Sequence, residues 1–150
     1  MVRLLRLFIF LLAAPLAQAA SEPPAISDVW AKGTLPGATL TTVHFRLFSE
    51  EDLLIVAASS PWAERVDLRE MEFQLDGGPL RPQVMTQLAV PARKRLQFTP
   101  VTAHLALAGL KQPVKAGDRI PLQLKFRRKD GSEFTQAIEA LGRDLAGGRR

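Results

Sequence analysis

From about residue 26 onward, apolar and polar residues alternate with a period of two. In TTVHFRLF (41–48), Val43, Phe45 and Leu47 fall on one side and Thr42, His44 and Arg46 on the other, the pattern of a strand with one buried face. IPLQLKF (120–126) repeats it with Ile120, Leu122, Leu124 and Phe126, and ISDVWAK (26–32) alternates as well. LLIVAASS (53–60) is a short apolar run of the kind a buried strand presents. Turn residues separate these runs: GTLPG (33–37), Ser-Pro at 60–61, DGG (76–78), KAGDR (115–119) and DG (130–131), with glycine supplying the positive φ of tight turns. Strands and turns recur roughly every ten residues, which predicts an all-β sandwich or barrel. The one stretch that reads as a short helix is Ala137–Leu145. No internal repeat or domain linker interrupts the pattern.

The first twenty residues, MVRLLRLFIFLLAAPLAQAA, belong to a different class. Arg3 and Arg6 precede an apolar stretch, and Ala17-Gln18-Ala19 forms an A-x-A cleavage site. The apolar run is broken by Pro15 and is shorter than the roughly 20 residues needed to cross a bilayer. The expected organisation is therefore a cleaved signal peptide at 1–19, a disordered lead-in at 20–25 containing SEPPA, one β domain at 26–140 and a flexible tail at 141–150. Such a protein is exported and is not an integral membrane protein once processed.

Composition narrows the chemistry. The chain has no cysteine, which excludes disulfide staples, thiol catalysis and thiolate metal sites. Soft-metal chemistry falls to imidazole and thioether. Of the net charge of +5, two charges are Arg3 and Arg6 in the leader, and the rest clusters in ARKR (92–95) and KFRRKD (125–130). These clusters read as solvated strand ends, with weak attraction to anionic lipid or an acidic partner as a second reading; nucleic acid is not expected as a partner. Glu70 and Glu72 share a strand face, but Arg65, Arg69 and Arg81 stand close in sequence, so surface pairing is expected rather than acid–base chemistry. No nucleophile elbow, zinc-binding helix or P-loop is present, and the chain is not expected to be an enzyme.

Two histidines remain. His44 lies on the polar side of its strand and is expected to face solvent or a partner. His104, in AHLALAGL, points opposite to Leu105 and Leu107 and is flanked on its own face by Ala106 and Ala108. It is either a core histidine bonded to a backbone carbonyl or a metal ligand. Met71 and Met85 are the methionines beyond the leader, and each either fills a core gap or donates sulfur.

ASSPWAERVDLREME (58–72), LRPQ (80–83), LAVPA (88–92) and HLALAGLKQPVKAGDRIPLQLKF (104–126) together resemble the periplasmic copper chaperone PCu(A)C family, with GLKQPVKAGDRIPL (109–122) the most specific stretch. The resemblance implies a cupredoxin-like Greek-key β-sandwich or barrel that binds Cu(I) through two histidines and two methionines. It implies partners among the proteins that assemble cytochrome oxidase copper sites, chiefly the Cu(A) centre. The family's ligand positions fall on Arg69, Leu80, His104 and Ala106, so only His104 keeps a donor. A substitute set of His104, Met71 and Met85 is one expectation. The other is a diverged member that binds no metal and serves as a periplasmic protein- or anion-binding module, with Arg69 at its centre.

Overall fold

A computed structural model describes residues 21–145; the signal peptide expected at 1–19 lies outside them. The described residues form ten strands and no helix: β1 (Ala25–Lys32), β2 (Leu40–Phe48), β3 (Leu53–Ser59), β4 (Ala63–Glu72), β5 (Arg81–Met85), β6 (Leu88–Val90), β7 (Arg95–Phe98), β8 (Ala103–Leu110), β9 (Arg119–Arg128) and β10 (Glu133–Arg143). The hydrogen-bonded path runs β5-β4-β8-β2-β1-β10-β9-β3-β6, and a further β3–β4 pairing joins its two arms. Strands β4, β8, β2, β1, β10, β9 and β3 thereby close into a barrel, while β5, β6 and β7 attach at its margins. All pairs are antiparallel except β1 with β10. Closure leaves few free edges and gives each strand one face turned inward.

The inward face is the apolar half of each alternation. Ile120, Leu122, Leu124 and Phe126 of β9 are buried and meet Val43, Phe45 and Leu47 of β2, Leu105 and Leu107 of β8, and Ile55 of β3 in one core. The turns expected from sequence are present. Gly131 takes a φ of 86° between β9 and β10, and Asp130 Oδ1 accepts from the Ser132 N–H and Oγ at 2.8 and 2.6 Å. Part of each basic cluster is paired: Arg127 and Lys125 with Glu133, Arg128 with Glu51 and Arg93 with Glu50.

Two local features depart from the pattern read along the chain. The Ala137–Leu145 segment is not a helix but most of β10, whose residues pair one for one with β9 from Glu133 to Leu141. Phe134, Gln136, Ile138 and Ala140 turn toward the interior while their neighbours are exposed. The alanine, glutamate and leucine content favours a helix locally, but pairing on both edges of this strand outweighs that preference. The strand also continues to Arg143, past the expected domain boundary at 140, and β1 begins at Ala25, inside the expected lead-in.

The second departure is a bulge in β1. Pairing with β2 shifts by one residue between Ser27 and Trp30, and Asp28 adopts a φ of 50°. One extra residue reverses every side chain beyond it. Without the bulge Trp30 would oppose Val43 on the core face; with it Trp30 opposes His44 on the outer face.

Candidate functional site

Register fixes a row of side chains across the outer face of five strands. Trp30 of β1 pairs with His44 of β2. Continuing the Thr42–Ala106 and Val43–Leu105 pairs sets His44 opposite His104 of β8. His104 pairs with Arg69 of β4, and Arg69 with Val84 of β5. Cross-strand partners share a face, so Trp30, His44, His104 and Arg69 form one band. Met71, two residues beyond Arg69, lies on that face at the end of the β4–β8 ladder, where its N–H donates to the Thr102 carbonyl at 2.7 Å. A cleft of about 440 Å³ opens over the band, with His44, His104, Met71, Trp30, Lys32 and Asp144 among its walls.

The outer face of a barrel normally meets water, yet both histidines are buried, His44 with 1 % and His104 with 5 % of its surface exposed. This corrects the expectation that His44 faces solvent or a partner. Its ring lies 4.4 Å from the Trp30 ring and 5.8 Å from that of His104, centroid to centroid. The missed signal is the β1 bulge, which brings an indole over a position that alternation assigns to the surface.

His44 Nε2 is 2.9 Å from Thr42 Oγ1, and its Nδ1 has no partner. His104 Nδ1 also has none, while a backbone hydrogen bond at Thr99 engages that ring. Burial pushes the His44 pKa down to about 4, reinforced by the charges of His104, Lys32 and Arg143. Burial also lowers the His104 pKa, followed by the Arg69 guanidinium, with the Thr99 bond acting in the opposite direction. Both rings are therefore neutral at pH 7, the form in which imidazole ligates metals.

Arg69 is half-buried, its Nη2 3.4 Å from Asp67 Oδ2 and its Nε without a partner. Arg65 reaches the same carboxylate from the exposed side at 3.2 Å. Glu72 accepts from Gln83 rather than from an arginine. Among the described residues neither Glu70 nor Glu72 forms the expected ion pair with an arginine; Arg65 and Arg69 pair with Asp67 instead.

Of the sequence-nominated donors, the structure brings His104 and Met71 to one cleft. It does not bring Met85 there. Met85 pairs with Leu68 and packs against the core, on the opposite face of the β4–β5 pair from Met71. Leu80 is half-buried just before β5, and Ala106 is fully enclosed beside His104 between Thr42 and Asp67. Neither supplies a donor. Among the described residues, no three His, Cys, Asp or Glu side chains gather as a metal cluster. The available set is nitrogen and thioether, with Asp144 the one carboxylate in the cleft wall. That set is poor for hard cations and suited to a soft one.

Comparison with known proteins places these features. Residues 24–138 match the family model LpqE-like, described as "Putative lipoprotein LpqE-like". The "Putative lipoprotein Lxx21020" of Leifsonia xyli subsp. xyli is 27 % identical over 113 residues, covering 75 % of this chain. The match spans 66 % of that relative's length. Among solved structures, the copper-bound PCuAC domain from PmoF2 superimposes with a TM-score of 0.62 at 16 % identity, covering 84 % of this chain and 97 % of that one. The Cu(I) form of DR1885 from Deinococcus radiodurans gives a TM-score of 0.58 at 26 % identity, covering 85 % and 83 %. The frame shared with these structures is the cupredoxin-like β-barrel. Among the described residues, no helix is long and apolar enough to cross a membrane.

Proposed function

The chain belongs to the LpqE-like family and is a PCuAC-like cupredoxin domain, and from that premise we propose that it is an exported, periplasmic carrier of Cu(I) with an altered site weaker than a four-ligand one. One observation carries this reading: His104 and Met71, a neutral nitrogen and a thioether, line a single cleft. Cu(I) accepts both donor types, and neutral ligation without thiolates lets the ion be passed on. Two of the structural neighbours are copper-bound forms, which supports the same chemistry here. The receiving partner in this reading is a protein that assembles the copper sites of cytochrome oxidase.

Arg69 sets the weakness. A guanidinium offers only donors and stays charged. Its charge beside His104 repels a cation bound there, a cost that the Asp67 carboxylate 3.4 Å from Nη2 partly returns. Titration of the protein against a competing Cu(I) chelator tests the proposal. One-to-one binding, weaker than that of a four-ligand PCuAC domain and lost in His104→Ala, is expected. Absence of binding overturns the carrier role, and affinity equal to a four-ligand domain overturns the altered site.

A second reading rests on the same arginine. Its buried Nε has no partner, and Lys32 and Arg143 add positive charge near His44. This supports an organic-anion or protein-binding module on a diverged frame. Binding of small carboxylates by the wild type at constant pH, lost in Arg69→Gln, together with no Cu(I) binding in chelator competition, would favour this reading over the first.

A further inference from the structure

The copper reading above leaves the ligand count short, because Arg69, Leu80 and Ala106 supply no donor. The structure holds a second imidazole that the chaperone resemblance does not assign. His44 stands across from His104 by strand register, their ring centroids 5.8 Å apart, and both side chains are more than nine-tenths buried. His44 Nε2 lies 2.9 Å from Thr42 Oγ1, and Nδ1 of each ring has no partner.

Two buried Nδ1 atoms are thus left without a partner on side chains that line one cleft. Buried polar atoms rarely lack a partner. An imidazole with one nitrogen oriented by a protein oxygen and the other free is the arrangement seen at metal-ligating histidines. Metal–imidazole bonds run about 2.0 Å, so one ion between two ring nitrogens spans roughly 4 Å, a separation that rings with centroids 5.8 Å apart accommodate.

We propose that His44 replaces the lost ligands: Cu(I) is held between Nδ1 of His44 and Nδ1 of His104, with the Met71 thioether as the third donor. The proposal rests on the copper reading and specifies its site. The surrounding charge selects the oxidation state. Arg69 adjoins His104, and Lys32 and Arg143 act on His44, so a monovalent ion meets less repulsion than a divalent one. Zinc is disfavoured on coordination as well, since its structural sites are closed by four protein ligands.

The test uses the protein with Cu(I) in chelator competition, and with Ag(I) as a redox-inert probe of the wild-type ring nitrogens by long-range ¹H–¹⁵N NMR. The expected result is that His44→Gln and His104→Gln each lower Cu(I) affinity by about thirtyfold or more, which converts to about 2 kcal/mol. The Nδ1 resonances of both rings move on adding Ag(I) to the wild type, a readout independent of whether a buried variant folds. If His44→Gln binds Cu(I) like the wild type, and the His44 ring resonances stay still while those of His104 move, this proposal fails and the carrier reading stands. If the wild type binds neither ion, both fail.

Discussion

Acidifying the copper-free protein titrates the most deeply buried of the two imidazoles, and the outcome can be worked out from its surroundings. His44 is held at about 4 instead of 6.5 by burial first, then by His104, Lys32 and Arg143. A histidine with a depressed folded-state pKa stays neutral in the native chain while the unfolded chain takes up a proton. Its contribution is therefore fully present above pH 6.5, falls as the pH drops toward about 4, and levels off below that. The gap from 6.5 to about 4, at about 1.4 kcal/mol for each pH unit, amounts to about 3 kcal/mol. With 1 % of its surface exposed, His44 has little solvent to reduce that figure. His104 is lowered too and adds in the same direction.

Urea unfolding of wild type and His44→Gln at a series of pH values between about 8 and 4 isolates the effect. Carboxylates such as Glu133, lowered by its bond to Arg127, also lose stability in acid, but they cancel in the difference between the two proteins. At neutral pH the variant is expected to be the less stable, having lost the ring packed on Trp30. Between pH 6.5 and about 4 the difference should swing toward the variant by about 3 kcal/mol, or roughly 1–3 M in relative urea midpoint. Parallel stability profiles across that window would refute the reasoning, because they would mean that His44 titrates as a solvated residue.

Four further outcomes are expected. Met71→Leu should lower Cu(I) affinity about three- to tenfold with little change in thermal stability, whereas Met85→Leu, on the opposite face, should leave affinity unchanged; chelator competition and a melting curve check both. Arg69→His removes the cation beside His104 and adds an imidazole across from it, so Cu(I) affinity should rise by about tenfold or more. The triple change Arg69→His, Leu80→Met and Ala106→Met should exceed that gain only if the fully buried Ala106 position accommodates the larger side chain, which a melting curve reports as a loss of about 1–3 kcal/mol when it does not. Gly109→Ala should destabilise by about 1–3 kcal/mol in urea unfolding, because φ is +66° and an added Cβ would lie 2.7 Å from Glu64 Cβ.

How much of this was legible depends on which side of a strand carried the signal. The β9 and β2 alternations specify the barrel wall directly, because the inward positions are continuously apolar. The fold class followed from strand and turn spacing, and the chaperone resemblance named the same frame that the solved structures show. His104 and Met71 were nominated from sequence and share a cleft. Met85 was nominated too, but strand parity sends it to the core, and parity could not be assigned until the β4–β5 register was known.

His44 was misread for a different reason. Alternation places it outward, correctly, but outward here means beneath Trp30 and beside His104. Only the one-residue bulge at Ser27–Trp30 puts the indole there, and nothing in ISDVWAK marks it except an aspartate able to adopt positive φ. The C-terminal stretch was misjudged in the same way. Its helix-favouring composition hid a strand that ends with Arg143 stacked 4.7 Å over Trp30 and with Asp144 in the cleft wall.

The central claim is that the PCuAC frame is kept while its metal site has shifted to His44, His104 and Met71. X-ray absorption of the Cu(I)-loaded protein counts donors by element and tests this most directly. The expected spectrum has two imidazole nitrogens and one sulfur, with the sulfur contribution lost in Met71→Leu. A first shell with two sulfurs, or one with a single imidazole, would contradict it.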